Sequence, residues 1–137
     1  MRKSILFISI LLILATGLNA GNANLTSAFS GTDNTSITLS DCKLEVQTED
    51  FSGSFSWHDA NEKIKTIGQG WRLPTKAELD CLYKNKDKIG NFKRDWYWTS
   101  ERVGQFNIWV QSFGNGRQFG YSNSNSAKIR CVRSLKK

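Results

Sequence analysis

Gly70-Trp71-Arg72-Leu73-Pro74-Thr75-Lys76-Ala77-Glu78-Leu79 is the stretch from which the rest of the chain can be read. Pro74 disfavours the helical region for the residue before it, so Leu73 is expected to be extended. Thr75 and Glu78 stand three apart, the spacing of a capping box, in which each side chain meets the other's otherwise unpaired backbone N–H. A helix therefore opens here, with Leu79, Leu82 and Tyr83 on one stripe. Upstream, Ser56 and Asp59 repeat the cap. Trp57, Ala60, Ile64 and Ile67 follow at helical spacing, and Gly68 supplies the left-handed residue that ends a helix. The pattern predicts a first helix over 57–67.

Around these helices lie short strands. Ile37-Thr38-Leu39 and Lys43-Leu44-Glu45-Val46 precede them, while Trp96–Thr99, Asn107–Phe113 and Lys128–Leu135 follow. Gly114-Asn115-Gly116 punctuates as a hairpin turn would, and Gln118–Tyr121 can return from it. Lys84 to Arg94 reads as a basic loop. The order gives an α+β domain, two helices with a mostly antiparallel sheet.

The chain's 137 residues suit one domain. Aromatic residues at 12%, five of them Trp, speak against a disordered chain. One Pro excludes collagen-like and Pro-rich classes. Met1-Arg2-Lys3, the apolar run Ser4–Leu14 and the small residues up to Ala20 have the layout of a secretory signal peptide over 1–20. The run is short for a membrane span, so no span is expected after cleavage. No cysteine follows until Cys42, which speaks against a lipid-modified N-terminus. Residues 21–40, rich in Asn, Ser, Thr and Gly, are expected to be a flexible leader, with the domain over 41–137. The expected localisation is extracytoplasmic: periplasm, cell surface or secreted.

Charge is uneven. Residues 33–80 hold nine acids and five bases, whereas 81–137 hold three acids and twelve bases. Such asymmetry marks a face for an anionic partner or a solvated basic face. In an exported protein the partner is an acidic polysaccharide or a surface protein rather than nucleic acid.

The segments SWHDANEKI, GQGWRLPTKAELDCLYKNKDKIGNF, YWTSE, IWVQSFGNGRQ and IRCVRSL together resemble the bacterial DUF1566 family. That family also includes the domain closing the Legionella collagen-like adhesin and the Fibrobacter major paralogous domain. The resemblance spans roughly residues 41–135 and implies a C-type-lectin-like fold, shared with the formylglycine-generating enzymes, and a surface or secreted binding domain. It also implies a helix tied to the last strand. Three cysteines in an oxidising compartment leave one over, so Cys81–Cys131 is the expected disulfide, with Cys42 free or paired between chains.

No cofactor is expected. The Glu-Pro-Asn, Gln-Pro-Asp and Trp-Asn-Asp triplets of calcium-dependent lectins do not occur. Calcium needs six to eight oxygen ligands, and the acids of the basic half are scattered. The paired C-terminal cysteines of the copper enzymes are missing, as are Cys-x-x-Cys and paired His. His58, in the first turn of the first helix, reads as a surface residue, since a catalytic base needs a positioned partner. Arg72 reads as a structural ion-pair partner, and the five Trp as core residues. The sequence is read as that of a non-enzyme.

What remains for binding is Lys84, Lys86, Lys88, Lys93 and Arg94, with Arg102, Arg117 and the polar tract carrying Tyr121, Asn123 and Asn125. If the basic loop is extended, Lys84, Lys86 and Lys88 point to one side, whereas a helix would spread them. The tract 121–126 (YSNSNS) is expected to be exposed. The favoured reading is a module for an anionic glycan, whose weak single contacts need several cations or an oligomer that repeats the patch. The second is a protein-binding receptor of the kind varied by diversity-generating retroelements, and the third a purely structural surface subunit.

Overall fold

The computed structural model describes residues 36–136. The expected signal peptide and most of the expected leader lie outside the described residues. Six strands form two antiparallel sheets of three. In the first sheet β1 (Ser36–Leu39) and β6 (Val132–Ser134) flank β2 (Leu44–Gln47). In the second, β3 (Trp96–Arg102), β4 (Asn107–Ser112) and β5 (Gln118–Ser122) form a meander. The helices are α1 (Trp57–Lys65), α2 (Lys76–Lys84) and a single turn, α3 (Lys86–Ile89). Ser36–Leu39 falls in the expected leader, but the strand read at Ile37-Thr38-Leu39 forms there, paired Ile37 to Val46 and Leu39 to Leu44.

The caps explain where the helices start. Thr75 Oγ1 accepts the Glu78 N–H (3.1 Å), and the Glu78 carboxylate accepts the Thr75 N–H (2.8 Å), a complete box. At α1 the Ser56 hydroxyl accepts the Asp59 N–H (3.2 Å), but the shorter Asp59 carboxylate turns to the Ser56 hydroxyl instead (2.7 Å). Gly68, at φ 57°, stands just beyond the helix.

The block around Arg72 joins these parts. Arg72 and Val132 exchange both backbone hydrogen bonds (2.9 and 3.0 Å), and the Pro74 carbonyl accepts the Ser100 N–H (2.8 Å). The Arg72 guanidinium grips the Glu78 carboxylate with two bonds, 2.7 and 2.8 Å. It is the structural ion pair the sequence suggested. Burial raises the Glu78 pKa, but the Arg72 and Thr75 donors outweigh it and hold the carboxyl below its ordinary range.

The core has two parts. One gathers Leu39, Leu44, Val46, Leu79, Leu82, Ile89, Tyr97, Phe113 and Val132 between the first sheet and α2. The other packs Ala60, Ile64, Leu73, Trp98, Ile108, Val110, Ala127, Ile129 and Cys131 between α1 and the second sheet. Of the tryptophans only Trp98 is fully buried, its indole N–H donating to the Phe55 carbonyl (2.7 Å). Trp71 and Trp109 are half-buried beneath cations, Arg133 at 4.6 Å and Lys76 at 3.5 Å from the ring centroids.

Two expectations are corrected here. The disulfide is Cys42–Cys81, with Cα atoms 6.2 Å apart, and Cys131 is a free, buried thiol. The 3-10 turn Ser40–Cys42 after β1 lies against α2 and brings Cys42 to Cys81. Cys131 sits instead in the second core, where burial pushes its pKa up to about 12 against the opposing charge of Arg130. The second correction concerns residues 84–89 of the basic loop, which are not extended: α2 reaches Lys84 and α3 follows at once. Coiling that turn delivers Ile89 to the core, at 5% exposure, and spreads Lys86 and Lys88 around a helical axis.

Two outcomes follow. Peptide mapping without reductant recovers a Cys42–Cys81 peptide, and Cys131 resists alkylation until the protein unfolds. Reduction costs about 4 kcal/mol by the loop-entropy relation for a separation of 39 residues. In the second, Glu78→Gln costs about 1 kcal/mol at neutral pH. A depressed folded pKa stabilises above the unfolded value near 4.3 and ceases to do so as pH falls through the folded one. Urea unfolding at pH 7 and pH 3 therefore finds the gap between wild type and variant closing in acid.

Candidate binding cleft

Beyond α3 the chain turns through Gly90 and Asn91, both with positive φ (82° and 59°). Asn is among the few side chains that tolerate this region, and here its amide donates to Glu49 (2.6 Å). The reversal leaves an open cleft of about 340 Å³ lined by Lys86, Asp87, Gly90, Asn91, Phe92, Arg94 and Phe113. Phe92 and Phe113 are stacked, ring centroids 4.2 Å apart. Lys86, whose ammonium lies 5.0 Å over the Tyr83 ring, and the exposed Arg94 bring two cations to the same cleft.

The cleft is fastened from beneath by Arg130, which is 1% exposed. Its guanidinium lies 3.8 Å from the Phe92 ring centroid. Nε donates to Asp50 (2.8 Å), and Nη1 donates to the carbonyls of Gln47 (3.1 Å) and Gly90 (3.2 Å). The Tyr97 hydroxyl donates to the other Asp50 oxygen (2.6 Å) and accepts the Lys93 N–H (2.8 Å). Burial, with the Asp50 carboxylate beside it, drives the Tyr97 pKa far above its ordinary value, so the phenol stays a donor.

The ten residues expected to bind do not form one patch. Lys86 and Arg94 line the cleft. Lys84 pairs with Asp80 on its own helix (2.7 Å), which holds the Asp80 carboxyl below its usual range. Lys88 and Lys93 are exposed. Arg117 stands in the β4–β5 turn, its N–H bonded to Asn115 (3.1 Å). Arg102, Tyr121, Asn123 and Asn125 belong to the opposite end of the second sheet, where β3 and β5 finish. Tyr121 is half-buried, 5.8 Å from Trp98 and 5.6 Å from Phe119 by ring centroids, because β5 turns its ring into the second core. Its expected exposure is thereby corrected. Asn123 is half-buried and Asn125 exposed.

The aromatic floor was missed in the sequence, although Gly90-Asn91 ahead of Phe92 is a reversal signal. His58 is exposed. Among the described residues no group of three or more His, Cys, Asp or Glu is placed to hold a metal, and no helix is long and apolar enough to cross a membrane.

Two antiparallel sheets, the helices set against them and the loop-built cleft make this a C-type-lectin-like α+β domain. More narrowly, the chain belongs to the Lcl C-terminal domain family, which it matches over residues 26–133. No curated protein matches it. Among solved structures, the snake venom toxin convulxin is similar, with a TM-score of 0.56 and 11% identity over 74% of this chain and 96% of that one. At that identity the likeness is one of fold.

Arg130→Met leaves Asp50 buried without its cation and lowers stability by about 3–5 kcal/mol, measured by thermal unfolding. Adding Asp50→Asn to that variant recovers part of the loss.

Proposed function

We propose that the chain is an exported, non-catalytic binding module that recognises an anionic glycan or surface polymer at the Lys86–Arg94 cleft. The observation that carries this reading is the pairing of two cations with the stacked Phe92–Phe113 floor in one cleft. Phe113 is 4% exposed and the Phe92 ring lies between it and Arg130, so the floor presents a fixed wall with the edge of Phe92, and the cations carry the recognition. Arg94 can take a sulfate or carboxylate bidentately, and Lys86 acts as a mobile point charge.

Export is supported by the disulfide, which suits an oxidising compartment. The surplus of bases in residues 81–137 supports an anionic partner through long-range attraction. Each exposed ion pair contributes about 0.2–1 kcal/mol, so affinity for a polymer comes from many weak contacts.

Retention on immobilised heparin, a sulfated probe, tests the reading. Wild type binds at low salt and is released as ionic strength approaches physiological values, where screening shortens to about 8 Å. The Lys86→Glu/Arg94→Glu double variant loses retention and keeps its fold, since both side chains reach solvent. Arg102→Glu, at the far end of the sheet, changes retention little. Full retention by the folded double variant overturns the assignment of the cleft.

A further inference from the structure

Val103 and Phe106 are the large apolar side chains left exposed among the described residues, at 40% and 63%. Both lie in the turn between β3 and β4, where every residue from Ser100 to Asn107 is exposed. The turn is nevertheless fixed. The Val103 N–H donates to the Asn107 carbonyl (2.9 Å), and the Asn123 N–H donates to the Phe106 carbonyl (2.8 Å). Arg102 donates to the Gln105 carbonyl (3.1 Å), and its guanidinium lies 4.7 Å from the Trp57 ring centroid. Gly120 lets the turn settle on β5, since a Cβ there would stand 2.5 Å from Val103 Cγ1. On a mobile loop Phe106 could fold away. On this one it is held out in water.

The cation of the turn is Arg102, which has no carboxylate within ion-pair distance among the described residues and bonds to a carbonyl instead. Glu101, at the root of the turn, accepts the Lys76 N–H (2.8 Å), and Asp59, near Trp57, accepts the Ser56 hydroxyl (2.7 Å), so neither pairs with it. Next to the turn, Ser124 and Asn125 are exposed and uncharged.

We propose that this turn is a membrane-contact element that dips Phe106 and Val103 into the surface of a bilayer containing anionic lipid, with Arg102 at headgroup level. Two side chains are far too little for a stable protein contact, which buries about 800 Å² on each partner. Aromatic and aliphatic tips beside a cation are the composition that settles at a lipid interface. Backbone groups are costly to bury in hydrocarbon unless bonded, and the carbonyls of Gln105, Phe106 and Asn107 already accept hydrogen bonds. One turn gives weak, reversible attachment, which several copies on one surface strengthen.

The full-length Phe106→Trp variant tests this, with its emission compared to that of wild type. The probes are vesicles of phosphatidylcholine alone or of phosphatidylcholine and phosphatidylglycerol at 3:1, both with brominated acyl chains. Because Ser4–Leu14 is itself apolar, the readout is the reporter at 106 rather than sedimentation of the whole chain. The expected result is a blue shift with bromine quenching of the added emission on the anionic vesicles. Val103→Ser in the same chain weakens it several-fold, and the neutral vesicles give much less. Absence of quenching overturns the proposal, as does equal quenching on both vesicle types. A blue shift that grows with protein concentration without lipid also overturns it, and assigns the turn to a second copy of the chain.

Discussion

A guanidinium with almost no access to water holds the two halves of the domain and the cleft in one arrangement. Arg130 lies on the segment that passes from the second sheet toward β6, and it reaches Asp50, Gln47, Gly90 and the Phe92 ring. A buried charge is tolerable only where most of its donors find acceptors; here Nε and Nη1 find theirs, and Nη2 is buried without one. The loops carrying those acceptors are therefore constrained together: the segment after β2, the turn after α3, and through Asp50 the hydroxyl of Tyr97 on β3. The cleft is open to solvent but its floor is not loose. Phe92 lies between that cation and Phe113.

Much of the fold was legible locally. Thr75-x-x-Glu78, Ser56 with Asp59, Gly68 and the Gly114-Asn115-Gly116 turn each act within a few residues, and each specifies its backbone through hydrogen bonds or a permitted φ. The strands around them followed, although Lys128–Leu135 shortened to Val132–Ser134. The earlier part of that segment makes an isolated bridge instead: Lys128 donates to the Trp96 carbonyl and accepts from the Trp98 N–H, beside the two-bond pair Ala127–Phe55.

What was not legible depends on distance along the chain. Nothing near Cys42 says that a 3-10 turn brings it to α2, and nothing near Cys131 says that its neighbours close over it. The same holds for the cleft. Lys86 and Arg94 were singled out as charges, but the floor they flank needs Phe113, which a separate strand leads to and the Asp95 carbonyl holds in place (2.9 Å). Arg130 was one base among twelve in the basic half. Only its acceptors, drawn from residues 40 to 83 positions away, distinguish it. Tyr121 was misplaced for the opposite reason: a polar neighbourhood hid a side chain that alternation in β5 turns inward.

The unpaired thiol of Cys131 bears on the order in which the chain is made. In a chain made N-terminus first, Cys42 and Cys81 both precede Cys131, which lies fifty residues beyond Cys81. The native pair can close before a competitor exists. When Cys131 does arrive, its own burial withdraws it, because a thiol with a pKa near 12 carries almost no thiolate at neutral pH and so cannot attack the finished bridge. Core packing thus keeps the third thiol out of exchange with the Cys42–Cys81 bridge.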